Sequence, residues 1–180
     1  TAGLLIVTRP DYQYKDIKSL VAAAKANPEQ IKFGSPGFGA TQHLAAELFK
    51  QVAGVKMLHV PYRTSPEALA GLLSGNIDVL FDTVTALLGQ VQSSQVRALA
   101  VTGKDRFPAV PNVPAAIESG AVPGYDVTTW YGLFGPKGMP PAVTAKLNKT
   151  LNEIIAEPEV RERLTKAGVL VKGSTPTEFR

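Results

Sequence analysis

Short runs of apolar, often β-branched residues alternate along most of this chain with longer segments whose apolar residues recur at helical spacing. The short runs predict β-strands, because the strands of a covered sheet are brief and apolar. The amphipathic segments between them predict α-helices. The predicted strands are residues 4–8, 31–35, 56–60, 77–81, 97–102 and 127–134, and the predicted helices are 16–26, 41–52, 66–73 and 84–92.

This alternation of strand and helix predicts the α/β class. Parallel strands joined by helices bury both faces of their sheet, so we expect a parallel-type sheet with helices on both faces. Right-handed crossovers make such a sheet doubly wound.

The pattern changes in the second half of the chain. A proline-rich stretch favours an extended loop with one short helix near residues 115–119. The segment 126–134 is the longest β-type run, and a turn-rich junction follows it. Two further helices are predicted at 142–156 and 159–167, the second ending at Gly168.

The charge of the chain argues against one class of partner. The net charge is +4, from 19 Lys and Arg against 15 Asp and Glu. The basic residues are spread thinly between Arg9 and Arg180, and an acid interrupts their largest group at 161–163. Nucleic-acid binding needs basic groups gathered on one surface, so we expect no nucleic-acid partner. A mildly cationic surface suits small anionic ligands instead.

The composition also bears on metal sites. The chain has no cysteine, which excludes disulfides, thiol catalysis and cysteine-based metal sites. His43 and Glu47 share a helix face, but no third ligand accompanies them, and we interpret them as a polar surface pair. His59 fits a structural role in its strand. We therefore expect no metal and no cofactor.

The segment 33–44 leaves a predicted strand, passes through a glycine-rich turn and enters a predicted helix. The first turn of a helix has unpaired N–H groups and a partial positive charge, which suit a carboxylate or phosphate. The glycines at 34, 37 and 39 would let a ligand approach the backbone closely. A tight turn that needs glycine only for its dihedrals explains the same pattern equally well. The candidate ligand-binding residues here are Ser35, Gly37, Phe38, Gly39, Ala40 and Thr41, the two hydroxyls being possible donors to an anion.

Three motifs of catalysis or cofactor binding are incomplete in this segment. A dinucleotide fingerprint needs a third glycine where Gln42 stands, and a nucleophile elbow needs a glycine where Phe33 stands. A P-loop needs Gly-Lys-Ser/Thr, which is absent. A triad of Ser35, His43 and Asp82 can be drawn on paper, but any chain of this length offers such a trio. We expect no enzymatic activity.

Two more candidate ligand-binding residues, Asp82 and Thr83, follow directly after the predicted strand 77–81. Ligands of open α/β sheets bind outside the carboxyl ends of the strands, so we expect both side chains at the same edge as Ser35. Asp82 is alternatively the N-cap of the helix that follows. Trp130 and Tyr131 fit a core position better than a ligand platform, although the sequence leaves both open.

Motifs distributed over essentially the whole chain carry a family resemblance. They are GSPGFG at 34–39, QHLAAELF at 42–49, HVPYR at 59–63, GNIDVLFD at 75–82, RALAVT at 97–102, PNVP at 111–114 and WYGLFGP at 130–136. In this order they resemble the Bug receptors, the periplasmic solute-binding proteins of tripartite tricarboxylate transporters.

The resemblance implies a fold and a function. The fold is periplasmic-binding-protein-like, a Venus flytrap in which two α/β domains close on a ligand. The ligand is a small carboxylate (a di- or tricarboxylate, an amino acid or an aromatic acid) that is captured in the periplasm and delivered to membrane transporter subunits. The turn at 35–41 would supply half of the carboxylate grip, partly through ordered water, and Asp82 and Thr83 would line the variable part of the pocket.

Two alternatives stand beside this interpretation. A flytrap-type module that senses the same ligands for signalling would have the same sequence features. An enzyme fragment would use the glycine turn to bind a phosphate-bearing cofactor.

The chain departs from the family in length, since family members are considerably longer. The resemblance then implies that residues 8–125 form a complete second, ligand-binding domain. Residues 1–7 and 126–180 would be crossover strands and the C-terminal part of an incomplete first domain. We expect such a chain to expose apolar surface on 127–171 unless a second copy or the missing N-terminal segment covers it.

Overall fold

The computed structural model describes residues 1–179, which form six β-strands and six α-helices. The strands are β1 (Ala2–Thr8), β2 (Lys32–Ser35), β3 (Leu58–Pro61), β4 (Val79–Thr83), β5 (Arg97–Val101) and β6 (Thr128–Thr129). The helices are α1 (Ile17–Ala26), α2 (Thr41–Ala53), α3 (Ser65–Leu73), α4 (Val84–Gln92), α5 (Pro141–Ala156) and α6 (Pro158–Lys166). A 3₁₀ helix, Ala116–Ser119, confirms the short helix predicted in the proline-rich stretch.

Five strands form one sheet in the order β3-β2-β4-β1-β5, and β6 pairs with the start of β1. β2 runs parallel to β3 and β4, as predicted, but β1 runs antiparallel to both β4 and β5. The sheet is therefore mixed: the parallel pairing expected from the alternation holds for β2, and β1 departs from it. β1 is buried at every position, and a strand that is apolar on both faces has the same hydrophobic pattern in either direction.

The position of β1 also bears on domain organisation. Residues 1–7 were expected to be a crossover strand, and β1 lies within this sheet between β4 and β5, with Leu4 paired to Thr83 and Leu5 paired to both Asp82 and Val101. The division into domains at residues 8 and 125 stays a prediction.

Successive residues of β1 point into two separate cores, which confirms the helices predicted on both faces. Leu4 and Ile6 belong to the core that α1 and α2 cover. Leu5 and Val7 belong to the core that α3 and α4 cover. Burying one such side chain contributes about 1.5–3 kcal/mol, so the sheet is stabilised from both sides.

The segment after residue 126 differs most from its prediction. The β-type run 127–134 becomes a strand only at β6, because no second strand of the described residues lies beside the rest of it. Trp130 and Tyr131, expected in a core, are 60% and 62% exposed. Helices α5 and α6 have no buried residue. The expected apolar surface is present within the described residues and includes Trp130, Leu133, Phe134, Leu147, Leu151 and Ile154.

A buried tyrosine ties the proline-rich stretch to the sheet core. The Tyr125 hydroxyl donates a hydrogen bond of 2.9 Å to the Ala45 carbonyl oxygen of α2. Its ring meets Phe49 edge-on, with the centroids 5.6 Å apart. Burial raises the pKa of this hydroxyl far above its ordinary value.

We predict that Tyr125→Phe lowers the free energy of unfolding by about 1 kcal/mol, because one buried hydrogen bond is lost. Tyr125→Ala should cost about 3–5 kcal/mol, because it also leaves a cavity. Urea denaturation measures both values. Tyr131→Phe, at an exposed ring, is the matched control and should change stability by less than about 0.5 kcal/mol. Equal effects at the two positions would contradict the packing described for Tyr125.

We also predict that the chain on its own self-associates through its exposed apolar residues, because large apolar side chains in contact with water favour association. Size-exclusion chromatography with light scattering should give a molar mass above the 19.1 kDa of one chain. Replacing Leu147 and Leu151 by lysine should shift the mass toward the monomer, whereas Thr150→Lys should not. A monodisperse wild-type monomer would contradict the prediction.

Candidate functional site

The turn between β2 and α2 has a backbone that only glycine adopts easily. Gly37 and Gly39 have φ values of 133° and 73°, in the region that disfavours residues with a side chain. Gly34 serves another purpose, because a methyl group there would collide with the Ile77 side chain. Gly34 is buried inside β2 and leaves space for the Ile77 side chain, so it does not belong with the glycines that a ligand could approach.

Helix α2 begins at this turn without a side-chain cap. In the three other helices that cover the sheet, a side-chain oxygen accepts a hydrogen bond from a first-turn N–H. The N-cap of α2 is Ala40, which has no side-chain acceptor. The first-turn N–H groups of Thr41, Gln42 and His43 therefore keep their donor capacity and the partial positive charge of a helix start. An anion is the natural acceptor for such groups.

Ser35 lies beneath the turn. Ser35 is fully buried, and its Oγ lies 2.8 Å from His59 Nε2 and 3.1 Å from the Gly37 carbonyl oxygen. The Gly37 N–H also donates to Oγ, over 3.4 Å. The two contacts with Gly37 hold the turn to the end of β2, and the contact with His59 connects it to β3, on the inner side of the candidate site.

Two histidines, predicted as a helix-surface residue and a structural strand residue, meet under the same turn. The rings of His43 and His59 stack with their centroids 4.2 Å apart. His43 Nδ1 accepts a hydrogen bond of 3.1 Å from the Gly39 N–H. Its Nε2 lies 3.7 Å from Glu47 Oε1, so the predicted polar pair with Glu47 is only a loose contact. The sequence offered one indication of the contact between the turn and His43, namely a histidine four residues after the turn glycine Gly39.

The exposed ring of Phe38 covers this histidine pair. Phe38 meets His43 and His59 edge-on, at centroid distances of 5.5 and 4.9 Å, and remains 75% exposed. The turn therefore presents an apolar ring beside the start of α2.

Asp82 and Thr83 lie inside β4, which extends two residues further than predicted. Asp82 is fully buried, and its Oδ1 accepts hydrogen bonds from Gln42 Nε2 (3.0 Å) and the Thr83 N–H (2.8 Å). The alternative role of Asp82 as an N-cap is wrong, because Thr83 caps α4 by accepting from the Ala86 N–H. Asp82 instead ties the first turn of α2 to the sheet.

The candidate residues thus separate into two groups. Gly37, Phe38, Gly39, Ala40 and Thr41 form the accessible turn and helix start. Ser35 and Asp82 are buried behind it, and half-buried Thr83 caps the neighbouring helix. A catalytic triad is not assembled, since Ser35 contacts His59 rather than His43, and Asp82 contacts neither imidazole.

Residues 1–179 contain no helix that is long and apolar enough to cross a membrane.

Known proteins resemble nearly the whole chain. The family profile described as "Tripartite tricarboxylate transporter family receptor" matches residues 1–176. The "UPF0065 protein in tcbD-tcbE intergenic region" of Pseudomonas sp. (strain P51) is 41% identical over 98% of this chain and 52% of its own length. Protein BugT of Bordetella pertussis is 30% identical over 98% of this chain and 54% of its own length. The chain spans about half the length of these relatives.

Solved structures share the fold. "R. palustris Rpa4515 with adipate" superposes with a TM-score of 0.92 at 28% identity, covering 99% of this chain and 59% of that one. MatC from Rhodopseudomonas palustris, with bound malate, has a TM-score of 0.84 at 28% identity, covering 98% and 59%. The predicted periplasmic-binding-protein-like α/β fold and the resemblance to Bug receptors are confirmed.

We predict that the stability of the fold depends on the titration of His59. Burial lowers the pKa of His59, and the neighbouring His43 lowers it further; Glu47 opposes these effects and Lys50 adds to them. The unfolded chain therefore binds a proton more readily than the folded chain does. The free energy of unfolding should fall as the pH drops below about 6.5 and level off below the folded pKa.

Urea denaturation at several pH values between about 5 and 8 measures this dependence. His59→Gln keeps an N–H near the position of Nε2 but does not titrate, so it should flatten the slope in that window. An unchanged slope in His59→Gln would assign the dependence to other groups.

Proposed function

Since the chain belongs to the tripartite tricarboxylate transporter family of solute-binding receptors, we propose that it binds a small carboxylic acid and seats one carboxylate on the first turn of α2. The observation that carries this proposal is the missing cap of α2 at a glycine turn on the sheet edge. We call the N–H groups of Thr41, Gln42 and His43, together with the turn 37–40, the carboxylate seat.

The chemistry of the seat favours a carboxylate. A helix start carries roughly half an elementary positive charge, which attracts an anion without a basic side chain. Each N–H that donates to a charged oxygen contributes about 1.5–3 kcal/mol, more than a neutral hydrogen bond does. Gly37 and Gly39 have no side chain to block the approach.

The surroundings of the seat suit a ligand with a hydrocarbon portion. Phe38 exposes its ring at the rim, and contact with methylene groups would remove apolar surface from water on both partners. The similar structures that carry adipate and malate support a dicarboxylate. Thr83, half-buried at the neighbouring strand end, and Asp82 behind it are proposed to shape the part of the pocket that selects the ligand.

The role in transport follows from the family. We propose that the receptor acts outside the cytoplasmic membrane, in the periplasm, and delivers its ligand to the membrane subunits of a tripartite tricarboxylate-type transporter. It catalyses no reaction and needs no cofactor. A ligand that touches two domains stabilises the closed state by its differential affinity for that state, and residues 8–125 are proposed to form one of these domains.

We predict that adipate and malate shift the backbone amide resonances of residues 39–43 in 1H–15N spectra of the chain. Adipamide, which has the same carbon skeleton without charge, should leave them unchanged. A nucleotide is the second control. Shifts produced by a nucleotide but by neither carboxylate would contradict the proposal and favour a phosphate-binding enzyme fragment.

A proline substitution tests the seat itself. Thr41→Pro removes the first helical N–H but suits the first position of a helix, so the fold should persist. We predict that it weakens adipate binding about tenfold, the loss of one charge-assisted hydrogen bond. Ser65→Pro makes the same change at the first position of α3 and should leave binding unchanged, as should Thr41→Ala, which keeps the N–H. Equal affinities in all four chains would place the ligand elsewhere.

A further inference from the structure

Two imidazole rings support the carboxylate seat from below without belonging to it. His43 comes from α2 and His59 from β3, and their rings lie nearly parallel, at an angle of 22°. The ring of Phe33 stacks under His59 at 4.8 Å, which closes the stack from the core side. Each imidazole makes one hydrogen bond to the turn.

The bond from Gly39 determines the protonation of His43. The Gly39 N–H donates to His43 Nδ1 over 3.1 Å, so Nδ1 must be without a proton. In the neutral ring the proton is then on Nε2, on the side of Glu47. This bond holds Gly39 at its positive φ, just before the helix begins.

The contacts of Ser35 favour one tautomer of His59. The Ser35 hydroxyl has one proton and two acceptors within reach, the Gly37 carbonyl oxygen at 3.1 Å and His59 Nε2 at 2.8 Å. When that proton goes to Gly37, the proton between Ser35 Oγ and His59 Nε2 comes from Nε2. This arrangement leaves a lone pair, rather than an N–H, on the buried His59 Nδ1, which has no partner among the described residues. In proteins, a buried acceptor without a partner is more common than a buried N–H group without one.

We propose that His43 and His59, both neutral with the proton on Nε2, are positioning residues for the carboxylate seat. His59 fixes the start of the turn through Ser35, and His43 fixes its end through Gly39. The stacking couples the two, so the turn is held at both ends by one unit. Neither imidazole touches the ligand, and the Ser35 hydroxyl acts by shaping the turn rather than by donating to the carboxylate. This role rests on the proposed carboxylate seat.

The tautomers are measured without any ligand. Long-range 1H–15N spectra of the imidazoles, recorded at a pH where both rings are neutral, identify which nitrogen carries the proton. We expect Nε2–H in both rings. A proton on Nδ1 of His43 would exclude the bond from Gly39, and a proton on Nδ1 of His59 would make Ser35 the donor. Either result overturns the proposal.

Matched variants of His43 test the effect on the seat. The side-chain oxygen of asparagine reaches a position close to Nδ1, whereas that of glutamine reaches further, toward Nε2. His43→Asn should keep the Gly39 amide protected from hydrogen exchange and keep adipate affinity within about threefold. His43→Gln should expose that amide and weaken adipate binding about tenfold, as expected for a lost hydrogen bond. The 1H–15N spectrum of each variant confirms that it is folded.

The outcomes separate this role from the proposed function. If wild type binds adipate and the two variants bind it equally, His43 does not position the seat, and the proposed function stands. If wild type shows no adipate binding at residues 39–43, the proposed function fails and the positioning role fails with it. Protection of Gly39 that depends on His43 would then show only that the bond exists.

Discussion

Burial of the sheet on both of its faces is the constraint on which the rest of this structure depends. Every residue of β1 is buried, and alternate side chains supply two separate cores. Faces packed in this way disfavour polar side chains, because burying a polar group destabilises the fold unless it finds a partner. The buried polar residues therefore lie at strand ends: Ser35 is the last residue of β2, and Asp82 is the second-last residue of β4.

Those two buried polar residues connect the sheet to the start of α2. Asp82 binds the Gln42 side chain, and Ser35 binds the turn and His59. With the backbone held from the sheet side, the helix starts without a cap and its N–H groups remain available. A rigid seat loses little entropy when a ligand binds, so this arrangement supports affinity through preorganisation.

The hydrophobic pattern was enough to predict the main elements but not their connections. Alternation predicted the helices on both faces of the sheet, because burial requires it. It did not predict the direction of β1, since a strand that is apolar on both faces has the same hydrophobic pattern in either direction. Residues 130–134 look like a strand in sequence, yet a strand forms only beside a hydrogen-bonding partner. Composition alone did not distinguish Asp82 from Thr83 as the cap of α4, because both residue types cap helices well.

The candidate site was predicted only in outline, because local sequence indicates a turn but not the tertiary contacts around it. Glycines between a strand and a helix mark a turn from local sequence alone. The contact between His43 and His59 depends on how α2 packs over the sheet, against β2 and β4, which no local pattern encodes. Ser35 was therefore expected to meet the ligand, whereas its buried hydroxyl binds His59 and Gly37. A crystal structure of the protein with adipate tests the central claim most directly. A carboxylate oxygen should lie about 2.7–3.2 Å from the backbone nitrogens of the first turn of α2, with Ser35 still bonded to His59. A carboxylate bound elsewhere, or held by the Ser35 hydroxyl, would contradict the account.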